Sequence, residues 1–247
     1  MSKSDVLIIG YGVVGSNLAK EIGKLKPDIV DKYKGIPKQF KKHHIGFVCV
    51  DTPLTIENTL NVTEVFNAVD ENDCDIYVIK STCPVGTVDL LSFKTGKKVL
   101  FSPEYYGGTQ HCNNFKFDFT ILGGDKEVAC EVIQMLQHCY DGRHQFKIVD
   151  SKVAELCKFM ENSFLAMKVS FCVDFYNACK KNDVNYEELR ECFILDPRVN
   201  ASHTFVYEDK PYWDSHCLNK DVPCIAYTQD MPLMKAVVEC NNFNKNK

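Results

Sequence analysis

The sequence predicts an α/β fold, a parallel sheet with helices on both faces, followed by an all-helical region. Three observations carry that prediction. Four apolar residues, Val6 to Ile9, run directly into glycines at 10, 12 and 15. Through roughly the first 150 residues short apolar runs then alternate with helix-spaced or loop-like segments, the pattern of strands buried on both faces of a parallel sheet. From Ser151 the apolar period changes to three and four. The chain is thereby expected to divide into a sheet domain over residues 1–150 and a helical region over residues 151–247.

Val6 to Ile9 reads as a buried strand, and Gly10, Gly12 and Gly15 follow it in G-x-G-x-x-G spacing, with a helix continuing from Ser16 to Leu25. In such a Rossmann-type turn one glycine makes the tight exit from the strand, one lets the backbone touch a pyrophosphate, and one lets the helix pack on the sheet. The phosphates are expected at the helix N-terminus, where unpaired N–H groups and the dipole favour an anion. Tyr11, Val13 and Val14 belong to the same turn. Asp28 to Asp31 reads as a second strand, and Asp31 stands about 20 residues beyond Gly10, where a carboxylate takes the ribose hydroxyls of a dinucleotide. An acid there selects NAD, because it repels the 2′-phosphate of NADP.

Lys32 to Lys42 is basic and holds Gly35 and Pro37, so a loop is expected. Ile45 to Val50 is the next apolar run and ends in Asp51-Thr52-Pro53; Val62 to Val69 has helical spacing. Ile76 to Ile79 runs into Lys80-Ser-Thr-Cys-Pro-Val-Gly-Thr87, and Val99 to Ser102 into Pro103-Glu104-Tyr-Tyr-Gly-Gly108. Phe119 to Leu122 leads into Gly123-Gly124, and Phe146 to Val149 closes the half. Thr52, Ser81, Thr82 and Glu104 thus recur at successive strand ends. Singly, such residues cap helices or form turns. Their recurrence favours one crevice outside the carboxyl ends of the strands, shared with the Gly10 turn.

Ser151-Lys-Val-Ala-Glu155 reads as a capped helix start. Leu156, Phe159, Met160, Phe164, Met167, Phe171 and Phe175 then give a long amphipathic helix over Ala154 to Cys179, its polar positions on the other side. A second helix is expected over Tyr186 to Cys192, an irregular stretch over Asp196 to Asp221, and further helix over Val222 to Asn241, interrupted near Pro232 and followed by a polar tail. An apolar stripe this long on one helix points to a two-fold homodimer.

Composition narrows the function classes. With 247 residues, 25% charged and 45% hydrophobic, the chain has material for a sizeable core. A net charge of −4 gives no electrostatic reason to expect nucleic acid. No apolar run approaches membrane-spanning length, and Asp5 falls where a secretory leader needs an apolar core, so neither membrane nor secretion is expected. The 13 cysteines are scattered without C-x-x-C pairs or Cys/His grouping at zinc spacing; no metal is expected, and a reducing, cytoplasmic setting is.

Five further segments, in order, resemble the nucleotide-sugar dehydrogenase family typified by UDP-glucose 6-dehydrogenase. Lys80-Ser-Thr-Cys-Pro-Val-Gly-Thr is similar to K-S-T-x-P-V-G-T, and Ser102-Pro-Glu-Tyr to S-P-E-F. Ala154-Glu-Leu-Cys-Lys-Phe-Met-Glu-Asn-Ser-Phe-Leu-Ala is similar to A-E-x-x-K-x-x-x-N-x-F-L-A, Asp196-Pro-Arg-Val to D-P-R-I, and Cys217-Leu-Asn-Lys-Asp to C-L-P-K-D. The resemblance implies an NAD domain, a helical dimerisation region and oxidation of the C6 hydroxymethyl of a nucleotide sugar, UDP-glucose first among them. Cys217 would be the nucleophile that carries a thiohemiacetal and then a thioester. Lys220 and Lys158, as nearby cations, would favour its thiolate. Lys158 and Asn162, one helical turn apart, would hold the oxyanion, Asp221 and Thr82 the transferred proton or water, and Glu104 would order substrate or assist hydrolysis. The nicotinamide dinucleotide would be held by Gly10, Tyr11, Gly12, Val13, Val14, Gly15, Asp31, Thr52, Ser81, Thr82 and Lys220. Glu104, Lys158, Asn162 and Arg198 would meet the substrate, Arg198 from across the dimer.

Several residues depart from the family pattern. The loop before the cysteine is glycine-rich in the family and here reads Pro211-Tyr-Trp-Asp-Ser-His-Cys217. Gly108 replaces a second glutamate, Asn219 a proline, and the segment between Asp31 and Asp51 is short. The sequence ends near Glu239-Cys-Asn241, where the family enters its C-terminal UDP-binding domain, so a short form without that domain is expected. Two alternatives follow: a relative that binds NAD and turns over weakly or not at all, or one that acts on a different small alcohol.

Overall fold

The computed structural model describes residues 5–38, 40–106 and 117–247. Seven strands form one sheet: β1 (Val6–Ile9), β2 (Asp28–Val30), β3 (His43–Val48), β4 (Cys74–Ile79), β5 (Lys98–Phe101), β6 (Phe119–Gly123) and β7 (Gln145–Val149). Their order is β2-β1-β3-β4-β5-β6-β7. Pairs from β2 to β5 are parallel, β6 meets β5 antiparallel at Phe101 and Gly123, and β7 runs parallel to β6. The α/β class with a mostly parallel sheet stands as expected from the sequence. Because β1 lies between β2 and β3, the chain leaves β1 to one side and returns on the other, and such a switch point opens a crevice at the carboxyl ends of the strands.

The helices are α1 (Val13–Glu21), α2 (Thr63–Glu71), α3 (Thr87–Thr95), α4 (Lys126–Leu136), α5 (Ser151–Lys181), α6 (Tyr186–Phe193), α7 (Leu218–Thr228) and α8 (Pro232–Lys245). The chain forms two compact units, Met1–Thr55 with Leu60–Lys158, and Ile56–Thr59 with Phe159–Lys247. In the first, alternate strand residues face opposite layers. Leu7, Ile9, Val48, Tyr77, Ile79 and Phe101 pack with Val65, Val69, Val88 and Leu91 of α2 and α3. Val6, Ile8, Ile45, Phe47, Ile76 and Leu100 pack with Leu18 of α1 and Val128, Val132 and Leu136 of α4. The second unit has its own core, in which Ala166 and Trp213 meet Leu218, Val222, Met234, Val237 and Val238.

Several elements differ from the sequence reading. Helix α1 starts at Val13, inside the glycine turn, and a 3-10 turn at Gly23–Leu25 replaces its last residues. Helix α7 starts at Leu218, which puts Lys220 and Asp221 on its first turn instead of in an irregular loop. Helix α8 extends through Lys245, so the polar tail is largely helical. Helix α5 is capped by the Asp150 carboxylate, which accepts from Lys152 N at 2.9 Å. On α5 the apolar Phe159, Ala166, Val173 and Tyr176 are buried together with the polar Glu155, Lys158, Asn162, Ser163 and Ser170, whereas Met160, Phe164, Phe171 and Phe175 of the apolar stripe are exposed.

At the turn, Gly10 has φ +91°, and a Cβ there would lie 2.5 Å from the Cys49 carbonyl oxygen. A Cβ on Gly15 would lie 2.0 Å from the Gly10 carbonyl oxygen, whereas one on Gly12 would meet nothing within 4 Å. Gly15→Ala is therefore expected to cost about 2–4 kcal/mol, and Gly12→Ala to stay within about 1 kcal/mol of wild type. Denaturant unfolding of the two variants side by side checks this.

Candidate active site

The first unit gathers polar side chains where its strands end. Beyond β1, the turn is fixed by Asp31, whose carboxylate accepts from Tyr11 N at 2.7 Å and from Tyr33 N and Lys34 N at 3.0 Å. The Lys34 ammonium donates to the Tyr11 carbonyl at 2.7 Å. Helix α1 has Gly12 as its N-cap, with no side-chain cap among the described residues and no acid in its first turn. Its leading N–H groups therefore point into the Gly10–Gly15 turn without a carboxylate to answer them.

The loops after β3 and β4 are tied by their hydroxyls. The Thr52 hydroxyl donates to the Thr82 carbonyl at 2.8 Å, and the Ser81 hydroxyl to the Val50 carbonyl at 2.7 Å. Thr52, Ser81 and Thr82 are all buried. The Lys80 ammonium, also buried, donates to the Ser102 hydroxyl at 3.1 Å across to β5. Burial pulls the Lys80 amine below the usual lysine range, against the opposing pull of Glu21 and Glu104. Lys158 donates to the Glu104 carbonyl at 2.5 Å, and its ammonium stands 3.5 Å from the Glu104 carboxylate; both side chains are 5% exposed. The other Glu104 oxygen accepts from Tyr106 N at 2.9 Å. Within the first unit these bonds tie the loop of Thr52 to that of Ser81 and Thr82, and, separately, Glu104 to Lys158.

The second unit holds the other expected residues. Cys217 is the partly exposed N-cap of α7, and its carbonyl accepts from Lys220 N at 3.2 Å and Asp221 N at 2.9 Å. Asp221 is wholly buried: one carboxylate oxygen accepts from Asn162 Nδ2 at 2.6 Å and the other from Lys220 Nζ at 2.6 Å. Asn162, Lys220 and Asp221 therefore form one buried charge-assisted group a single turn past the Cys217 backbone. Arg198 lies apart from them, exposed and forked onto Asp196 two residues back at 2.6–3.1 Å. Burial pushes the thiols of Cys49 and Cys74 up to about 12, which makes both small hydrophobes in practice. Gly108 lies outside the described residues.

Sequence reasoning gave Glu155 no role beyond the helix start. Its carboxylate, wholly buried, accepts from Gly86 N at 2.6 Å and Val88 N at 3.0 Å and so caps α3 from 69 residues away in sequence. Ser151 joins it by donating to Asp89 at 2.6 Å. The first turns of α5 therefore grip the end of the Lys80–Thr87 loop through Glu155 and Glu104 through Lys158. The sequence signal is the placing of Glu155 three residues before Lys158, on one helical face.

Burial raises the Glu155 carboxyl above the usual glutamate range, with the two N–H bonds pulling the other way. A folded-state value above the unfolded one means stability that is complete below the unfolded value and lost as pH rises through the folded one. The melting temperature of wild type relative to Glu155→Gln is expected to fall as pH rises from about 4 through the range just above the ordinary glutamate value. Scanning calorimetry across that interval checks the sign, and a flat or rising difference contradicts it.

Comparison with known proteins bears out the motif resemblance. Residues 152–243 match the model described as "UDP-glucose/GDP-mannose dehydrogenase family, central domain". The chain is 29% identical over 177 residues to an uncharacterised protein of Methanocaldococcus jannaschii, covering 66% of this chain and 20% of that one. It is 24% identical over 223 residues to the UDP-glucose 6-dehydrogenase of Rickettsia prowazekii, covering 83% of this chain and 50% of the relative. The chain thus spans about half the length of that curated dehydrogenase. Among solved structures, a UDP-glucose dehydrogenase from Pyrobaculum islandicum superposes with a TM-score of 0.76 at 19% identity, covering 96% of this chain and 68% of that one.

Proposed function

We infer the function of this chain from its kinship with the UDP-glucose/GDP-mannose dehydrogenases, whose central domain it carries at residues 152–243. We propose that it binds NAD and oxidises the C6 hydroxymethyl of a nucleotide sugar to a carboxylate, with UDP-glucose as the first substrate to try. The observation that carries this reading is the buried Asn162–Asp221–Lys220 group one helical turn past Cys217.

The residues at the turn fit a dinucleotide. Helix α1 offers an N-terminus without a side-chain cap among the described residues, and the Cβ direction of Gly12 is open space although its φ of −76° suits any residue. A glycine that neither strain nor packing demands is the one expected where a pyrophosphate touches the backbone. Gly10, Tyr11, Gly12, Val13, Val14 and Gly15 would hold the phosphates, Asp31 the ribose, and Thr52, Ser81, Thr82 and Lys220 the remainder. NAD, when bound, supplies the hydride acceptor for both oxidations.

In the first oxidation the alcohol loses its C6 hydride and its hydroxyl proton, the proton passing to the Asp221 carboxylate directly or through a water held with Thr82. The aldehyde has no hydride to give until something adds to it. The Cys217 thiolate forms the S–C6 bond, and the resulting oxyanion is met by Lys158 and the Asn162 amide. Loss of the second hydride leaves a thioester, and water, ordered with Glu104, breaks the S–C bond to give the acid and regenerate the thiol. Arg198 is the candidate contact to sugar nucleotide across a dimer. The Arg198 side chain is 87% exposed against 36% for its partner Asp196, so solvent reaches the guanidinium and the fork can open to another anion.

The exposed apolar row on α5, Met160, Phe164, Phe171 and Phe175, is the proposed homodimer face. Charged substitution there, Phe164→Glu with Phe171→Glu, is expected to give a monomer by analytical ultracentrifugation at micromolar concentration. A dimer that survives the pair places the interface elsewhere.

Purified protein with NAD and UDP-glucose, followed by UDP-N-acetylmannosamine and GDP-mannose, is expected to yield two NADH per sugar. Cys217→Ser is expected to lose at least about a thousandfold in turnover. Silence with every sugar, or NADH formation that survives in Cys217→Ser, overturns the proposal. NAD binding without turnover favours the weakly active alternative.

A further inference from the structure

The loop that delivers Cys217 is held at Trp213, Asp214 and Ser215 by bonds within the second unit. Trp213 is buried at 5% exposure, and its indole N–H donates to the Ser170 hydroxyl of α5 at 3.1 Å. Its backbone is taken up completely by a single amide. Trp213 N donates to Asn241 Oδ1 at 2.8 Å, and Asn241 Nδ2 donates to the Trp213 carbonyl at 3.0 Å. Asn241, at 4% exposure on α8, thus plays the part of a neighbouring strand for one residue.

The next two residues are tied as firmly. Asp214 accepts from Asn219 Nδ2 at 2.7 Å and pairs with Lys210 at 2.8 Å and Lys245 at 3.1 Å. Those three contacts, led by Lys210, hold its carboxyl well below the usual carboxylate range. The Ser215 hydroxyl accepts from Leu218 N at 3.2 Å, and its carbonyl from Asn219 N at 3.0 Å. Cys217 follows two residues later as the N-cap of α7.

We propose that the Trp213–Asn241 clasp is the device that sets where the Cys217 thiol stands, with Asn241 as a positioning residue that never touches substrate. The claim rests on the reading of Cys217 as the nucleophile but uses none of the cofactor chemistry. A loop with Pro211, Trp213 and an aspartate held by two lysines has little freedom of its own, so α8 fixes the cysteine before any ligand arrives. Truncating Asn241 leaves a buried N–H and a buried carbonyl unanswered on the same residue, and the cheapest relief is to let the loop open.

Iodoacetamide labelling of the full chain, followed residue by residue by mass spectrometry, tests this without substrate. Asn241→Ala is expected to speed Cys217 labelling about tenfold, while buried Cys224 stays slow. Asn241→Asp keeps the acceptor for Trp213 N and loses the donor, so an intermediate rate is expected. Val238→Ala, a core truncation on the same helix, is expected to lower the melting temperature and leave Cys217 at the wild-type rate. In turnover, Asn241→Ala is expected to lower kcat with the KM for NAD unchanged. An unchanged Cys217 rate in Asn241→Ala, or an equal rise in Val238→Ala, overturns the clasp. Turnover that survives in Cys217→Ser overturns the nucleophile instead.

Discussion

Backbone against backbone is the constraint from which the rest of the site takes its position. At Gly10 and Gly15 the strand exit, the loop after β3 and the first turn of α1 come so close that a single methyl group would sit 2.0–2.5 Å from a carbonyl oxygen. That approach fixes the end of β1 against Cys49, and with it the spacing between the glycine turn and the loops carrying Thr52, Ser81 and Thr82. Gly12 belongs to the same turn and feels none of this crowding. Packing demands two of the three glycines and leaves open space beside the third.

Buried charge is the second organising principle. Glu104, Glu155, Lys80 and Lys158 in the first unit, and Lys220 and Asp221 in the second, are all at least nine-tenths buried. Each survives there because partners replace the water it has lost: backbone N–H groups for Glu155, the Ser102 hydroxyl for Lys80, Asn162 and Lys220 for Asp221. Such groups add little net stability against an apolar core of the same shape, so their concentration at strand ends and at one helix start argues for chemistry.

The sequence was legible where local pattern and tertiary environment agree. Val6 to Ile9 is apolar because both sheet faces are covered, and the period of α5 is visible because the helix is long. It was less legible where partners come from afar. Helix α3 follows Pro84 and Gly86 and takes its cap from Glu155, a carboxylate no local rule would connect to it. The start of α7 was hidden because Pro223, inside the helix, suggests a boundary where there is none. The antiparallel β6 depends on how the chain returns to β5, which no strand pattern encodes. Among candidate site residues, the motifs marked Lys158, Asn162, Cys217 and Asp221, but Asn241 read only as the end of a helix, because its partner is a backbone whose polarity is the same whatever the sequence.

The account stands on the glycine turn being shaped for a dinucleotide, and calorimetric titration with NAD tests that most directly. Wild type is expected to bind one NAD per chain with measurable heat, and Gly12→Ala to lose that binding while its unfolding transition stays where it was. Undiminished NAD binding in Gly12→Ala, or none in the wild-type protein, would contradict it.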